Sequence, residues 1–222
     1  MELGRNIIKK IIDTKGKLNF SLTGSPYEYF RFIGDDSTPL LESELQSYTV
    51  YLKTKPDDVK VLVSEHDFEL NQGDCLQIEN LKSRLTFVGG EAELLVAGVS
   101  TNTSSKKSID FIKSKDVYRV NKPWGHELWL NGQHPLYALK QIFIKRGTKT
   151  SLQYHHYKQE TNVLFEGTAS LHYQTNHEKN IDEVTTPDLG SSLLDPVRSI
   201  DVSPGILHRL EAVTDILLYE VS

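Results

Sequence analysis

The sequence predicts an all-β protein in two halves, introduced by a short N-terminal helix. Three observations predict it. Short runs rich in Tyr, Phe, Val, Ile and Leu alternate with Gly, Pro, Asn and Asp at intervals typical of a sandwich or barrel. Examples are Tyr27 to Ile33, Tyr48 to Lys53, Val59 to Ser64, Leu136 to Lys145 and Ile216 to Val221. The stretch from Ser100 to Lys107 contains no apolar residue, the composition of a solvated linker, and the chain divides there. Finally, Thr86 to Ser100 can be set without a gap against His208 to Ser222, and both end in an apolar strand and Val-Ser, as two copies of one β-domain would. In that register Thr86 stands where His208 stands.

At the N-terminus, Leu3, Ile7, Ile8, Ile11 and Ile12 recur at helical spacing, while interspersed charges break up any signal-peptide core. The spacing predicts a short amphipathic helix docked on the domain. The expected division is residues 1–104, a linker at 105–116, and residues 117–222. Within the second half, the polar stretch from Thr175 to Asp188 reads as an exposed loop between strands.

A chain of 222 residues has room for one large or two small domains, and an apolar content of 38% together with 14 glycines excludes disorder of the whole. The 25 Lys and Arg against 30 Asp and Glu leave a net charge of −5, with both signs interspersed. That argues against nucleic acid and against an anionic membrane surface as partners. A lone cysteine, Cys75, excludes an intramolecular disulfide and a thiolate metal cluster, and points to a reducing, cytoplasmic setting. It begins an apolar strand, so a buried, inert thiol is expected. No apolar run approaches the ~20 residues a membrane span needs.

The chemistry concentrates in Gln153-Tyr-His155-His156-Tyr-Lys-Gln-Glu160. In an extended strand Gln153 and His155 share one face, and His156 takes the other as a neighbour rather than a ligand. Glu160 joins the first face only if the chain turns between Tyr157 and Gln159. His208, after Pro204 and Gly205, comes from a strand far along the chain. Two imidazoles, a carboxylate and an amide oxygen make a shell for a divalent metal, completed by water or substrate. His126, His134, His172 and His177 lack ligand spacing and are expected at the surface. Trp124 reads as a packing residue at the barrel entry.

At these residues a family resemblance enters. Gly147, Gln153, His155, Glu160 and Gly167 resemble the first signature of the cupin superfamily, with glutamine in place of the usual first histidine, and Gly205-x-x-His208 resembles the second. Lys122-Pro-Trp-Gly125, Ser151 to His155 and His208-Arg-Leu-Glu211 are most similar to the cupin domain of type II mannose-6-phosphate isomerases, over about residues 117 to 222. Ser203 and Ala212 depart from the second signature, where proline and asparagine are usual. The resemblance implies two jelly-roll β-barrels, a bicupin, with Gln153, His155, Glu160 and His208 holding the metal. It implies zinc most readily, with iron, manganese or nickel as other occupants. It also implies a metal-dependent isomerase or epimerase acting on a sugar or sugar phosphate.

Moving a proton between adjacent sugar carbons needs a base, and Lys140, Glu211 or a metal-bound hydroxide are the candidates. A phosphate needs a cation at the barrel mouth, where Arg209 and Lys149 lie nearest the motifs. The first half carries only His66 and no comparable spacing, which leaves it as a scaffold, a homodimer surface or a sugar-binding barrel. Two other readings stay open. His155, Glu160 and His208 are also the two-histidine, one-carboxylate set of an iron-dependent oxygenase. A ligandless first barrel, and a sequence ending at Ser222 before the tail such isomerases usually carry, suit a non-catalytic sugar-binding or regulatory module.

Overall fold

The computed structural model describes residues 7–10, 15–37, 45–63, 68–81, 84–101, 105–174, 189–194 and 198–222. The strands of the first half are β1 (Ile7–Lys10), β2 (Gly16–Asn19), β3 (Glu28–Gly34), β4 (Ser47–Thr54), β5 (Lys60–Val63), β6 (Phe68–Leu70), β7 (Cys75–Glu79), β8 (Leu85–Val88), β9 (Ala92–Val99) and β10 (Ser108–Ile112). A 3-10 turn at Ser114–Asp116 is the only helical element among the described residues. There follow β11 (Tyr118–Lys122), β12 (Gly125–Trp129), β13 (Leu139–Ile144), β14 (Glu160–Glu166), β15 (Ala169–Gln174), β16 (Leu189–Leu194), β17 (Arg198–Val202), β18 (His208–Ala212) and β19 (Ile216–Val221). No helix among them is long and apolar enough to cross a membrane.

Two compact units result, each a large sheet with a small one, on the jelly-roll plan. The N-terminal unit has a six-stranded sheet in the order β10-β7-β4-β9-β3-β2 and a three-stranded sheet β6-β5-β8. The C-terminal unit has a seven-stranded sheet β1-β17-β14-β19-β13-β12-β11 and a three-stranded sheet β16-β15-β18. The plans correspond in order, with β11 as the one extra strand of the C-terminal unit. Val50 pairs with Val96 and Leu52 with Leu94 across β4 and β9, as Asn162 pairs with Glu220 and Leu164 with Leu218 across β14 and β19. Both ladders then slip at the same place, between Leu52 and Thr54 and between Leu164 and Glu166. A bulge of this kind bends the strand and increases its local twist, so the two large sheets curve at matching places.

The expected N-terminal helix is replaced, where the chain is described, by a strand. Ile7 to Lys10 pair antiparallel with Asp201 to Arg198, so β1 belongs to the C-terminal unit. A helix of about a dozen residues is marginal alone, and β-branched isoleucines suit a ladder that long-range pairing offers. Residues 1–6 and 11–14 lie outside the described residues, as do His66, His177 and the expected loop at 175–188. The expected linker at 105–116 contains β10, which pairs with β7 from Ser108 opposite Glu79 to Ile112 opposite Cys75. Trp129–Leu139, between two strands of the C-terminal unit, groups with the N-terminal unit.

Within the N-terminal unit, the inward side chains of β3, β4, β7, β8 and β9 are apolar. Phe30, Phe32, Tyr48, Val50, Leu52, Leu76, Ile78, Leu85, Phe87, Leu94 and Val96 form one buried cluster. Each such side chain removed from water contributes roughly 1.5–3 kcal/mol. On the opposite face of β4 and β7, Ser47 and His134 Nε2 both bond Glu79 Oε1 at 2.8 Å, and Thr49 meets the Tyr137 hydroxyl at 2.8 Å. His134, expected at the surface, is therefore buried, because a buried carboxylate on β7 supplies it with a partner. Cys75 is fully buried, and burial pushes its thiol up, out of the reactive range.

In the C-terminal unit, Ile142, Ile144, Leu164, Leu171, Leu210, Ile216 and Leu218 set the inward phase of their strands, with Trp124 packed against them. By alternation, Lys140, Glu160, Asn162, His208 and Glu220 face the same interior. All five are buried. That polar floor is the site.

Candidate metal centre

Four stretches bring the site together. Gln153 and His208 form an isolated antiparallel bridge, with reciprocal N–H to C=O bonds of 2.8 and 2.9 Å, so their side chains leave the same face. Gly205 N–H donates to the His155 carbonyl at 2.8 Å, which ties the second motif to the first. The chain bends at His156 and Tyr157 and enters β14 at Glu160. Tyr157 is 95% exposed on that bend, so the turn that returns Glu160 to the site costs no core packing. Two motif glycines have steric reasons. Gly167 has φ +79°, and a Cβ there would lie 2.0 Å from the Asp215 carbonyl, while Gly205 turns at φ +83°.

His155, Glu160 and His208 each offer a donor atom, and the three atoms lie within 4.8 Å of one another. His155 Nε2 is 3.0 Å from Glu160 Oε1, and His208 Nε2 is 3.2 Å from Glu160 Oε2. The His208 Nδ1–H donates to the Ile206 carbonyl at 2.9 Å, which fixes the ring and turns Nε2 towards Glu160. A lone pair and a carboxylate oxygen facing each other need a proton or a cation between them. His155 Nε2 is buried without a well-aligned hydrogen bond, despite its proximity to Glu160. An orphaned imidazole nitrogen, a tautomer fixed by the backbone and a buried carboxylate are the donor set a divalent cation takes, so the residues fit one.

Electrostatics agree. Burial alone would raise the Glu160 carboxyl, but the His155 and His208 imidazoles beside it and the charge of Lys158 outweigh it and hold the group well below the usual carboxylate range. Burial would lower His208, and its bond to Glu160 reverses the sign, so its imidazole is raised. Lys158, also desolvated, is held protonated by Glu220 and Glu160.

Of the expected residues, Gln153, His155, Glu160, His208 and Lys140 share this interior; Lys140 is bonded to Glu220 Oε1 at 3.1 Å. Glu211 and Arg209 do not. β18 alternates, with His208, Leu210 and Ala212 buried and the two polar residues on the other face. There Glu211 meets His172 at 3.0 Å and sits opposite Lys149 in a bridge, which takes all three away from the metal donors. Sequence reasoning passed over Lys158, Asn162 and Glu220. Lys158 Nζ reaches Glu160 Oε1 at 2.5 Å and Glu220 Oε1 at 3.1 Å. Asn162 Nδ2 is 3.5 Å from Glu160 Oε2. The signals were present: Asn162 follows Glu160 by two in one strand, and Glu220 is a lone acid in phase with Ile216 and Leu218.

Residues 110–219 match the family model described as the mannose-6-phosphate isomerase C-terminal domain. Curated protein sequences yield no match. Among solved structures, an IolB-like protein from Salmonella typhimurium is 9% identical over 98% of this chain and 92% of that one, with a TM-score of 0.72. HEPD from Streptomyces albus, solved with 2-hydroxyethylphosphonate and Fe(II) bound, is 12% identical over 97% and 75%, with a TM-score of 0.68. A salicylate 1,2-dioxygenase from Pseudaminobacter salicylatoxidans is 9% identical over 94% and 76%, with a TM-score of 0.60. Identities this low speak for the fold alone. The chain has a cupin fold, two jelly-roll barrels of which the second matches the C-terminal domain of mannose-6-phosphate isomerases.

Proposed function

We propose that the C-terminal barrel is a metal-dependent isomerase or epimerase of a sugar or sugar phosphate. The observation that carries this reading is the convergence of His155, Glu160 and His208, beside Lys140 and Lys158, in the half that matches the isomerase family. Bound there, a divalent cation, zinc by the family resemblance, supplies Lewis acidity towards adjacent sugar oxygens. His155, Glu160 and His208 hold it, with Gln153 on the same face. Glu160 keeps both imidazoles oriented. Lys140, the inward-facing member of the expected residues, is the proton carrier at its Nζ, and Glu220 positions it. The ammonium of Lys158 donates towards anionic oxygens of the substrate. The remaining walls are apolar side chains that limit water around the reacting carbons. The work belongs in the cytoplasm, in keeping with a buried, free thiol.

A second reading has its own support. Two histidines and one carboxylate are the set of non-haem iron oxygenases, and two of the similar folds are an Fe(II)-bound protein and a dioxygenase. Metal analysis followed by incubation with mannose 6-phosphate and a panel of sugar phosphates in deuterated water separates the two. The isomerase reading expects exchange of a carbon-bound proton with one of them. Iron with oxygen uptake, and no exchange by fully loaded protein, overturns it in favour of the oxygenase.

A further inference from the structure

The carboxylate at the centre of the metal set has a second claimant. Lys158 Nζ lies 2.5 Å from Glu160 Oε1, the same oxygen that stands 3.0 Å from His155 Nε2. It also lies 3.1 Å from Glu220 Oε1, which accepts from Lys140 and from the Ser222 hydroxyl at 3.1 Å each. The side chain of Lys158 is 35% exposed, against 3% for Glu160 and 8% for Glu220, so its ammonium enters the interior from the mouth. A cation ligated by Glu160 sits about 2.0–2.2 Å from the carboxylate oxygen. An ammonium on that same oxygen then faces it at a few ångströms, where like charges repel strongly in a partly desolvated setting. Glu220 offers a second carboxylate already within reach.

We propose that Lys158 is a built-in competitor for the metal: ammonium and divalent cation exchange on Glu160 Oε1, and Glu220 retains the displaced ammonium. The inference rests on the metal-centre reading above. It makes two statements about the chain. Metal is held less tightly than the ligand set alone would hold it, and Glu160 keeps a cationic partner throughout the exchange, which spares an unpaired buried charge. Lys158 acts here through Glu160, as a positioning residue.

The test uses the full 222-residue chain, as wild type, Lys158→Met and Lys158→Gln, with Zn2+ affinity read by competition against a chromogenic chelator. Both neutral variants are expected to bind Zn2+ about tenfold more tightly, and Lys158→Arg to return to the wild-type value. In chelator, the neutral variants melt below the wild type, and Zn2+ raises their melting temperature by more than it raises the wild type's. Equal or weaker Zn2+ affinity in the folded neutral variants overturns the exchange while leaving the metal centre standing. Absence of Zn2+ binding by wild type and variants alike overturns both.

Discussion

The two barrels share a strand plan down to a common bulge, yet their interiors have opposite chemistry. The inward positions that read Glu160, Asn162 and Glu220 in the C-terminal unit read Tyr48, Val50 and Val96 at the matching ladder positions of the N-terminal unit. His208, the first inward residue of β18, has Leu85 as its counterpart on β8. One barrel is filled with apolar side chains, and the other gives up part of that packing for a paired, charged floor. The lesson is that a jelly roll tolerates a reactive interior where every buried charge has a partner, and loses the site when those few positions turn apolar.

Val96→Glu puts an unpaired carboxylate into the N-terminal core, opposite Phe30 on a strand that carries no lysine, and should cost more than about 4 kcal/mol or abolish folding, read by denaturant unfolding. Leu94→Ala, in the same core, should cost about 2–5 kcal/mol through the cavity it leaves. Titration sharpens the contrast in the other barrel. In chelator, the depressed Glu160 contributes stability that is present above its unfolded value of 4.5 and lost as pH falls through the folded one. The raised His208 contributes stability that is full below 6.5 and lost as pH rises through its folded value. Thermal unfolding against pH should therefore show the pair's largest contribution between those values, and Glu160→Gln should flatten that window. The smallest effect is expected at His134→Ala, which leaves Glu79 with Ser47 and Gln77 and should cost about 1–2 kcal/mol by the same unfolding measurement.

Much of this was legible in the sequence because it is local. Alternating apolar residues announced the strands, and Gln153, His155 and Glu160 lie within eight residues, so a strand face and one bend predict their meeting. What escaped is non-local. β1 takes its structure from a partner about 190 residues away, and nothing in Ile7 to Lys10 encodes that pairing. His134 owes its burial to Glu79, on a strand of the other half of the sequence. The ungapped comparison set Thr86 against His208, but Leu85 and Phe87 face the N-terminal core while Thr86 does not. A slip of one residue reverses the face, and only the ladder fixes it. Glu211 and Arg209 were drawn to the site by proximity in sequence, and strand alternation carries them to the opposite side.

The claim on which the rest depends is that one divalent ion binds in the C-terminal barrel through His155, Glu160 and His208. Equilibrium dialysis with elemental analysis, on wild type and His208→Ala side by side, measures it. We expect one ion per wild-type chain and none on a folded His208→Ala chain. A full equivalent of metal retained by that variant contradicts the ligand set and the chemistry built on it.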